Sequence, residues 1–294
     1  MKIAVCIKQV PDTTDIKWTE HNTIAREGVE SIINPFDEYA IETAIKIKEK
    51  YGAHITVLTM GPPQAEEVLR KALAMGCDEA FLVSDKKFSG ADTIATSRTL
   101  ASAIKSKIPD VQLIICGQFA TDGDTAQTGP SIAENLDMPQ VTYVKEVVSA
   151  DEESITVKKE IEDGIETLKM KLPGVICMQK CEYEPRTPLI KGYIQAQDKL
   201  IHTYNAEAIG IDPSLVGMKG SPTYVSAAFK PENKKQGELY TPSSFEDAAL
   251  KLFEKIKEYQ LNDELAPFRR DCTIIEPDSI ESGVKKLAQE MENN

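Results

Sequence analysis

Short apolar segments alternate with amphipathic helical segments along the first two-thirds of the chain, and this alternation limits the folds open to it. Strands are predicted at residues 3–7, 54–60, 80–83 and 111–116, with helices between them. Strands joined through helices pair in parallel, because a parallel pair needs a long crossover connection. The sequence therefore predicts an α/β fold, a Rossmann-like and mostly parallel sheet with helices on both faces.

The first helix has a clear start and a clear end in the sequence. Asn34 suits the N-cap, Pro35 suits the first helical position, and Asp37 adds negative charge to the first turn. Apolar residues then recur at helical spacing as far as Gly52, which is typical of a helix end. We expect a helix between these two points.

The loop after the fourth predicted strand is rich in glycine and in small polar residues. Glycines stand at positions 117, 123 and 129, and an amphipathic helix is predicted to begin near Pro130. Free backbone N–H groups and the positive end of a helix dipole suit a phosphate. The loop lacks both the glycine spacing of the usual dinucleotide fingerprint and the Gly-Lys-Ser/Thr of a Walker loop. On the loop alone, a simple strand-to-helix turn without a ligand is as good an interpretation as nucleotide binding.

Two other loops are expected at the same edge of the sheet. Residues 8–12 follow the first strand and residues 60–63 follow the second, so both should emerge near residues 117–129. Ligands of open α/β sheets bind beyond the carboxyl ends of the strands. The convergence of three loops favours a nucleotide site over a simple turn.

The remainder of the chain differs in character. Residues 155–157 and 165–172 flank a turn at residues 162–164 and predict a β-hairpin, followed by a buried strand at residues 175–178. Prolines predict an extended loop within residues 180–200. Residues 1–211 are expected to form the nucleotide-binding domain, and residues 212–294 a linker and a C-terminal helical arm on a partner subunit. Within that arm the sequence predicts a helix opened by a capping box at residues 243–246, a short strand at 271–276 and a helix at about 280–291.

Composition argues against several classes of function. The net charge of −13 and a pI near 4.9 argue against nucleic acid or an anionic membrane as the main partner. No apolar run reaches the roughly 20 residues that span a bilayer, so we expect a cytoplasmic protein without membrane insertion. The six cysteines and three histidines lack metal-ligand spacing, which predicts no metal site. No catalytic acid/base pair or nucleophile stands out either.

Six segments, in their order and spacing, carry a resemblance to a known family. They are Val5-Cys-Ile-Lys-Gln-Val-Pro-Asp12, Asn34-Pro-Phe-Asp37, Ala72-Leu-Ala-Met-Gly-Cys-Asp78, Asp122-Gly-Asp-Thr-Ala-Gln-Thr-Gly-Pro130, Glu166-Thr-Leu-Lys169 and Glu184-Pro-Arg186. Over most of its length the chain resembles the β subunit of electron-transfer flavoproteins. The resemblance implies a heterodimer with an α subunit and an adenine nucleotide in the crevice described above.

The resemblance also implies a role in electron transfer. In the respiratory branch of this family the β subunit holds a structural AMP, whereas residues 122–127 here are similar to the electron-bifurcating branch, whose β subunit holds FAD. That branch implies NADH as electron donor. It also implies transfer to the α-subunit FAD and an acyl-CoA dehydrogenase type flavoenzyme, and to ferredoxin or flavodoxin. Two alternatives stay open: a non-bifurcating carrier subunit with AMP, and a nucleotide-binding interaction module without a redox role.

The family's functional positions can be placed on this sequence by the same resemblance. The nucleotide contacts that it implies are Cys6, Asn34, Pro35, Phe36, Asp37, Met60, Asp122, Gly123, Asp124, Thr125, Ala126, Gln127, Thr128, Gly129, Pro130, Ser131, Ile132 and Ala133. Within this set, phosphate is expected on the backbone of residues 123, 125 and 127–129. The implied docking segment for the dehydrogenase contains Glu184, Pro185, Arg186, Leu189 and Ile190.

Overall fold

The computed structural model describes residues 1–12, 31–226 and 240–258. These residues belong to two compact units, one containing residues 1–226 and the other containing residues 240–258. None of the described helices has the length and hydrophobicity that crossing a bilayer requires.

The first unit contains eleven strands and six helices, and the second contains one helix. The strands are β1 (Lys2–Cys6), β2 (Gln9–Pro11), β3 (Ser31–Ile33), β4 (His54–Met60), β5 (Glu79–Val83), β6 (Leu113–Gly117), β7 (Gln140–Ala150), β8 (Ser154–Ile161), β9 (Gly164–Lys171), β10 (Gly174–Met178) and β11 (Ile201–Tyr204). The helices are α1 (Pro35–Tyr51), α2 (Glu66–Met75), α3 (Thr93–Lys107), α4 (Thr128–Leu136), α5 (Ile190–Asp198), α6 (Gly217–Gly220) and α7 (Phe245–Glu258). These counts refer to the described residues only.

Nine strands form one sheet in the order β11-β5-β4-β1-β6-β10-β7-β8-β9. The seven strands from β11 to β7 run parallel, and β8 and β9 extend the sheet in antiparallel fashion. Strands β2 and β3 pair separately as a short antiparallel ribbon. The predicted α/β fold and its mostly parallel sheet are confirmed, and the predicted hairpin is the β8–β9 pair.

Helices cover both faces of the sheet. Side chains of α1 and α2 share a core with Ile3 and Val5 of β1, whereas those of α3 and α4 share a core with Ala4 and Cys6. This alternation is what a strand buried on both faces requires. From β1 the chain builds outward through β4 and β5, and it then returns to the other side of β1 as β6. The carboxyl ends of β1 and β6 therefore flank the point where the winding reverses, which is where such sheets bind ligands.

The segment after β10 differs from its prediction. Residues 190–198 form helix α5, although the sequence predicted an extended loop across residues 180–200. Tertiary contacts stabilise this helix: Arg70 Nη1 donates to the carbonyl oxygen of Ala196 at 2.6 Å and to that of Lys199 at 2.7 Å. A Cβ on Gly192 would overlap the carbonyl oxygen of Ala74, so the helix lies very close to α2. These contacts come from distant residues, and the local sequence does not show them.

Strands β7 and β11 were not predicted as strands. In β7 Val141, Val144 and Ala150 are buried, in a pattern without strict alternation because its pairing contains register shifts, and β11 is a short edge strand beside β5. Helix α4 begins at Thr128, two residues before the predicted start at Pro130.

In the second unit, the capping box stands one residue later than predicted. Ser244 Oγ accepts a hydrogen bond from the N–H of Asp247 at 3.1 Å, and the Asp247 carboxylate accepts one from the N–H of Ser243 at 2.8 Å. Ser244 and Asp247 stand in place of Ser243 and Glu246 and form a variant of the box, in which aspartate reaches the N–H of the residue before the N-cap. The predicted strand at 271–276 and helix at 280–291 lie outside the described residues.

The start of α4 rests directly on the sheet. A Cβ at Gly129 would overlap Cys177 Sγ and would lie 3.5 Å from Cys116 Cβ. Cys6, Cys116 and Cys177 occupy one register across β1, β6 and β10, so they form a row of small side chains beneath this helix. The absence of a side chain at position 129 lets the helix N-terminus approach the sheet.

We predict that Gly129→Ala lowers the free energy of unfolding by about 1–3 kcal/mol, because the added methyl group overpacks this contact. The matched control is Gly123→Ala on the loop before α4, where a Cβ would meet only Lys8 Nζ, at 4.0 Å. We expect the control to change stability by less than about 0.5 kcal/mol. Urea unfolding of both variants measures the difference, and equal stabilities would show that the close approach of α4 is not required.

Candidate functional site

The N-terminus of α1 holds together the loops that follow β1 and β6. Asn34 donates from Nδ2 to the carbonyl oxygen of Phe119 at 2.8 Å and accepts the N–H of Thr121 at Oδ1, at 3.1 Å. The ring of Phe36 packs on that of Phe119 with centroids 4.2 Å apart. Asn34 stands at the N-cap position, but its side chain makes no cap hydrogen bond to the helix. It binds the loop after β6 instead.

Asp37 makes the second connection, in the buried interior. Its Oδ2 accepts the N–H of Lys8 at 2.7 Å, and its Oδ1 accepts the N–H of Gly117 at 3.1 Å. A Cβ at Gly117 would overlap Oδ1, so glycine is required at this position. Burial raises the pKa of Asp37 to about 7, while the hydrogen bonds from Asn34, Lys8 and Gly117 act in the opposite direction. One carboxyl group thus joins the ends of β1 and β6 through α1.

The loop between β6 and α4 has a constrained backbone. The carbonyl oxygen of Ala120 accepts the N–H groups of Gly123 and Asp124 at 3.1 and 2.7 Å. Asp124 and Ala126 have φ values of 52° and 54°, in the left-handed region that non-glycine residues rarely adopt. Such backbone strain is concentrated at ligand sites. Gly123 does not adopt a positive φ, and its missing side chain leaves open space.

The N-terminus of α4 offers unpaired donors beside this loop. Within the described part of the chain, no acceptor binds the backbone N–H groups of Thr125, Gln127, Thr128 or Gly129, and no side chain caps the helix. Thr93 Oγ1 donates to Gln127 Oε1 at 3.1 Å and so fixes the Gln127 side chain against α3. Free N–H groups at the positive end of a helix dipole are a binding site for an anion.

The predicted nucleotide contacts occupy different depths. Residues 123–125 and 127, in the loop before α4, are exposed. Cys6, Ile132 and Ala133 are buried in the core on the α4 side of the sheet. Ser131 donates its N–H to the carbonyl oxygen of Gln127 at 3.0 Å, within the first turn. Met60 ends β4 and packs against the same core. Asn34, Asp37 and Asp122 are brought together at the crevice through their contacts with the loop after β6 and with Lys8.

Three residues at the crevice were absent from the predicted contacts. Lys8 Nζ lies 2.6 Å from Asp122 Oδ1 and bridges the two loops. Phe119 and Thr93 complete the contacts of Phe36 and Gln127. Lys8 lies within the segment 5–12 that carried the family resemblance, so its position was visible in the sequence. Its role was not, because the pairing with Asp122 joins residues 114 positions apart.

The implied docking segment has an anchored half and an exposed half. The side chain of Arg186 donates to both carboxylates of Glu42 and Glu49 on α1, at 2.7–3.1 Å. Glu184 accepts the hydroxyl hydrogen bond of Tyr39 at 3.2 Å. These ion pairs raise the pKa of Arg186 and lower that of Glu49. The segment is thereby fixed to the same helix that holds the crevice.

The exposed half begins at the start of α5. Leu189 and Ile190 are 78% and 80% exposed, and Tyr193 and Ile194 on the next turn are also exposed. Ile190, Tyr193 and Ile194 share one side of α5, Ala196 of this helix is buried, and Leu189 directly precedes the helix. Exposed clusters of large apolar side chains are typical of protein or membrane interaction surfaces and of ligand grooves.

The sequence of this chain matches a known protein family and several of its members. The electron transfer flavoprotein domain matches residues 21–208. The chain is 46% identical over 260 residues to the caffeyl-CoA reductase–Etf complex subunit CarD of Acetobacterium woodii, a match that covers 88% of this chain and 98% of that protein. It is 45% identical over 258 residues to the electron transfer flavoprotein subunit beta of Thermoanaerobacterium thermosaccharolyticum, covering 87% and 98% of the two chains. It is 42% identical over 266 residues to the protein FixA of Azotobacter vinelandii, covering 86% and 95%.

The buried carboxyl of Asp37 predicts a pH dependence of stability. Its pKa is raised from 3.8 to about 7 on folding, so ionisation costs more in the folded chain than in the unfolded chain. Its contribution to stability is complete below pH 4 and is lost as the pH rises through about 7. Relative to Asp37→Asn, the wild-type free energy of unfolding should fall by about 3 kcal/mol between pH 5 and pH 8. Parallel pH profiles for the two proteins would show that Asp37 does not titrate in this range.

We predict that the ion pairs of Arg186 with Glu42 and Glu49 keep the docking segment ordered. Arg186→Met leaves the buried carboxylate of Glu42 without its cation, so we expect amides at residues 187–199 to exchange ~10-fold faster. Arg186→Lys should restore part of the protection from exchange, because lysine keeps the positive charge but lacks the planar guanidinium that binds two carboxylates at once. The control, Lys191→Met, removes an exposed charge from the same segment. Hydrogen-exchange mass spectrometry measures this, and unchanged exchange in Arg186→Met would contradict the anchoring role.

Proposed function

The chain belongs to the electron transfer flavoprotein family, as a β subunit, and we propose that it binds FAD between β1 and β6 within an electron-bifurcating complex. The observation that carries this proposal is the set of N–H groups of Thr125, Gln127, Thr128 and Gly129, which find no acceptor among the described residues, beside the open space at Gly123. A diphosphate needs several donors and close approach to the backbone, and this loop provides both.

The residues present fit FAD at this site. Asn34 and Asp37 hold the two loops in fixed positions, so the donors are arranged before the ligand arrives. FAD bound here would accept a hydride from NADH and pass electrons to the α-subunit FAD with an acyl-CoA dehydrogenase type partner, and to ferredoxin or flavodoxin. The chain itself binds and orients the cofactor, and the contacts of its loops determine how much water reaches it. NADH and ferredoxin are cytoplasmic reactants, so we place the complex in the cytoplasm.

The exposed face of α5 supports a docking role. We propose that Leu189 and Ile190 contact the dehydrogenase, while Glu184, Pro185 and Arg186 hold the segment in place for this contact. The A. woodii relative is named as a subunit of a complex with a caffeyl-CoA reductase, which supports a partner that acts on an acyl-CoA.

The C-terminal region is proposed to contact the α subunit. In the first unit, Tyr224 and Val225 expose large apolar side chains near the point where the proposed arm, residues 212–294, begins. In the second unit, α7 exposes Phe245, Leu252 and Phe253. Large exposed apolar side chains of this kind are typical of a surface that another chain covers.

Cofactor content decides between FAD and AMP in this subunit. The chain is purified with its α subunit, the ligands are released by denaturation, and FAD and AMP are quantified per heterodimer. About two FAD and no AMP are expected if both subunits hold a flavin. About one FAD together with AMP would contradict the bifurcating role and favour a simple electron carrier with a structural nucleotide.

A variant tests the position of the diphosphate. We predict that Gly123→Asp reduces the content to about one FAD per heterodimer, because a carboxylate would occupy the open space and repel a phosphate. Gly123→Ala is the matched control, since its methyl group meets no protein atom closer than 4.0 Å. Circular dichroism checks that both variants are folded. Full FAD content in Gly123→Asp would show that the diphosphate lies elsewhere.

A further inference from the structure

None of the predicted nucleotide contacts is a lysine or an arginine, and three of them are the aspartates at 37, 122 and 124. The carboxylates oppose a polyanionic ligand, and a cation outside this set would offset their charge. We propose that Lys8 is this cation, and that it selects nucleotides with a diphosphate over those with a single phosphate. The inference rests on the proposed nucleotide site and adds a residue that determines its specificity.

Both backbone polar groups of Lys8, its N–H and its carbonyl oxygen, are hydrogen-bonded. Its N–H donates to Asp37 Oδ2 at 2.7 Å, and its carbonyl oxygen accepts the N–H of Asn34 at 2.9 Å. The residue directly follows Ile7 at the carboxyl end of β1, beside the point where the winding of the sheet reverses. The root of the side chain is therefore held in place, and only its four-carbon stem is free to move.

The ammonium group lies over the loop after β6 and remains accessible. Nζ is 2.6 Å from Asp122 Oδ1 and 4.0 Å from the position of a Cβ on Gly123. The Lys8 side chain is 45% exposed, whereas that of Asp122 is 7% exposed. Asp122 thus covers one side of the ammonium and leaves its other donors open to the crevice. A lysine ammonium has three donors, so it can pair with Asp122 and with a phosphate together.

Two features that attract anions lie along the same loop. Among the described residues, the unpaired N–H groups of Thr128 and Gly129 lie at its α4 end, and Lys8 lies beside Gly123, nearer to β6. A single phosphate can be bound by the helix N-terminus alone. A diphosphate extends further along the loop, and its second phosphate reaches the ammonium. Lys8 therefore contributes to the binding of ADP or FAD and contributes little to that of AMP.

The test uses adenosine, AMP and ADP as probes, with the full-length chain in isothermal titration calorimetry. Wild type should bind ADP more tightly than AMP. Lys8→Gln should weaken ADP binding about 10- to 100-fold, the range for loss of a charged hydrogen bond, and AMP binding less than about 3-fold. Adenosine binding should be unchanged. Lys8→Arg keeps the charge and should restore most of the preference for ADP.

A second variant separates contact with phosphate from simple neutralisation of Asp122. If Lys8 only neutralises Asp122, Lys8→Gln combined with Asp122→Asn would regain the wild-type ratio of ADP to AMP affinity. We expect this double variant to keep the lowered ratio of Lys8→Gln, because the phosphate still lacks its cation. Recovery of the wild-type ratio would overturn the proposal.

Lys2 provides a matched control on the same strand. Its Nζ pairs with Asp110 Oδ2 at 2.7 Å at the amino end of β1, so Lys2→Gln removes the same charge and the same kind of ion pair at the opposite edge of the sheet. It should leave the ratio unchanged. An equal loss of ADP and AMP affinity in Lys8→Gln, or no loss, would overturn the role of Lys8 and leave the nucleotide site intact. Failure of wild type to bind any of the three probes would overturn the proposed function as well.

Discussion

The buried carboxyl of Asp37 is the contact on which the rest of the site depends. It accepts backbone N–H groups from Lys8 after β1 and from Gly117 at the end of β6, two strands that are neighbours in space and far apart in sequence. The arrangement needs an acidic residue in the first turn of α1 and no side chain at position 117. Because the carboxyl is buried, its hydrogen bonds are worth more and its ionisation is more costly than at the surface.

Helix α1 connects the crevice to the docking segment. Its first turn holds the loops through Asn34 and Asp37, and its later turns hold Arg186 through Glu42 and Glu49. Thr43 and Tyr183 add a hydroxyl contact of 2.6 Å between the same two elements. Both proposed functional surfaces of the first unit are thus fixed relative to one helix, so a partner on α5 and a nucleotide at β1 would meet at a set spacing.

The sequence predicted the elements whose information is local and failed where the information is distant. Alternating apolar runs predicted strands β1, β4, β5, β6 and β10, and the Asn34-Pro35 pair predicted the start of α1 correctly. The extended loop predicted across residues 190–198 was wrong: Pro185 and Pro188 indicate extended chain, while the contacts that stabilise helix α5 come from Arg70 and α2. The same limit applied to the site. Glycines and a helix start predicted donors for an anion, but the positions of Lys8 and Thr93 beside that loop follow only from the order of the strands.

Charge in this chain has to be considered locally. A net charge of −13 opposes the approach of any polyanion, and that long-range field is screened over about 8 Å in physiological salt. Within the crevice, unpaired N–H groups at α4 and the accessible ammonium of Lys8 act at contact distance, where screening is weak. An acidic surface that opposes the approach of nucleic acid is therefore compatible with the proposed nucleotide site, because the donors of that site act only at contact distance.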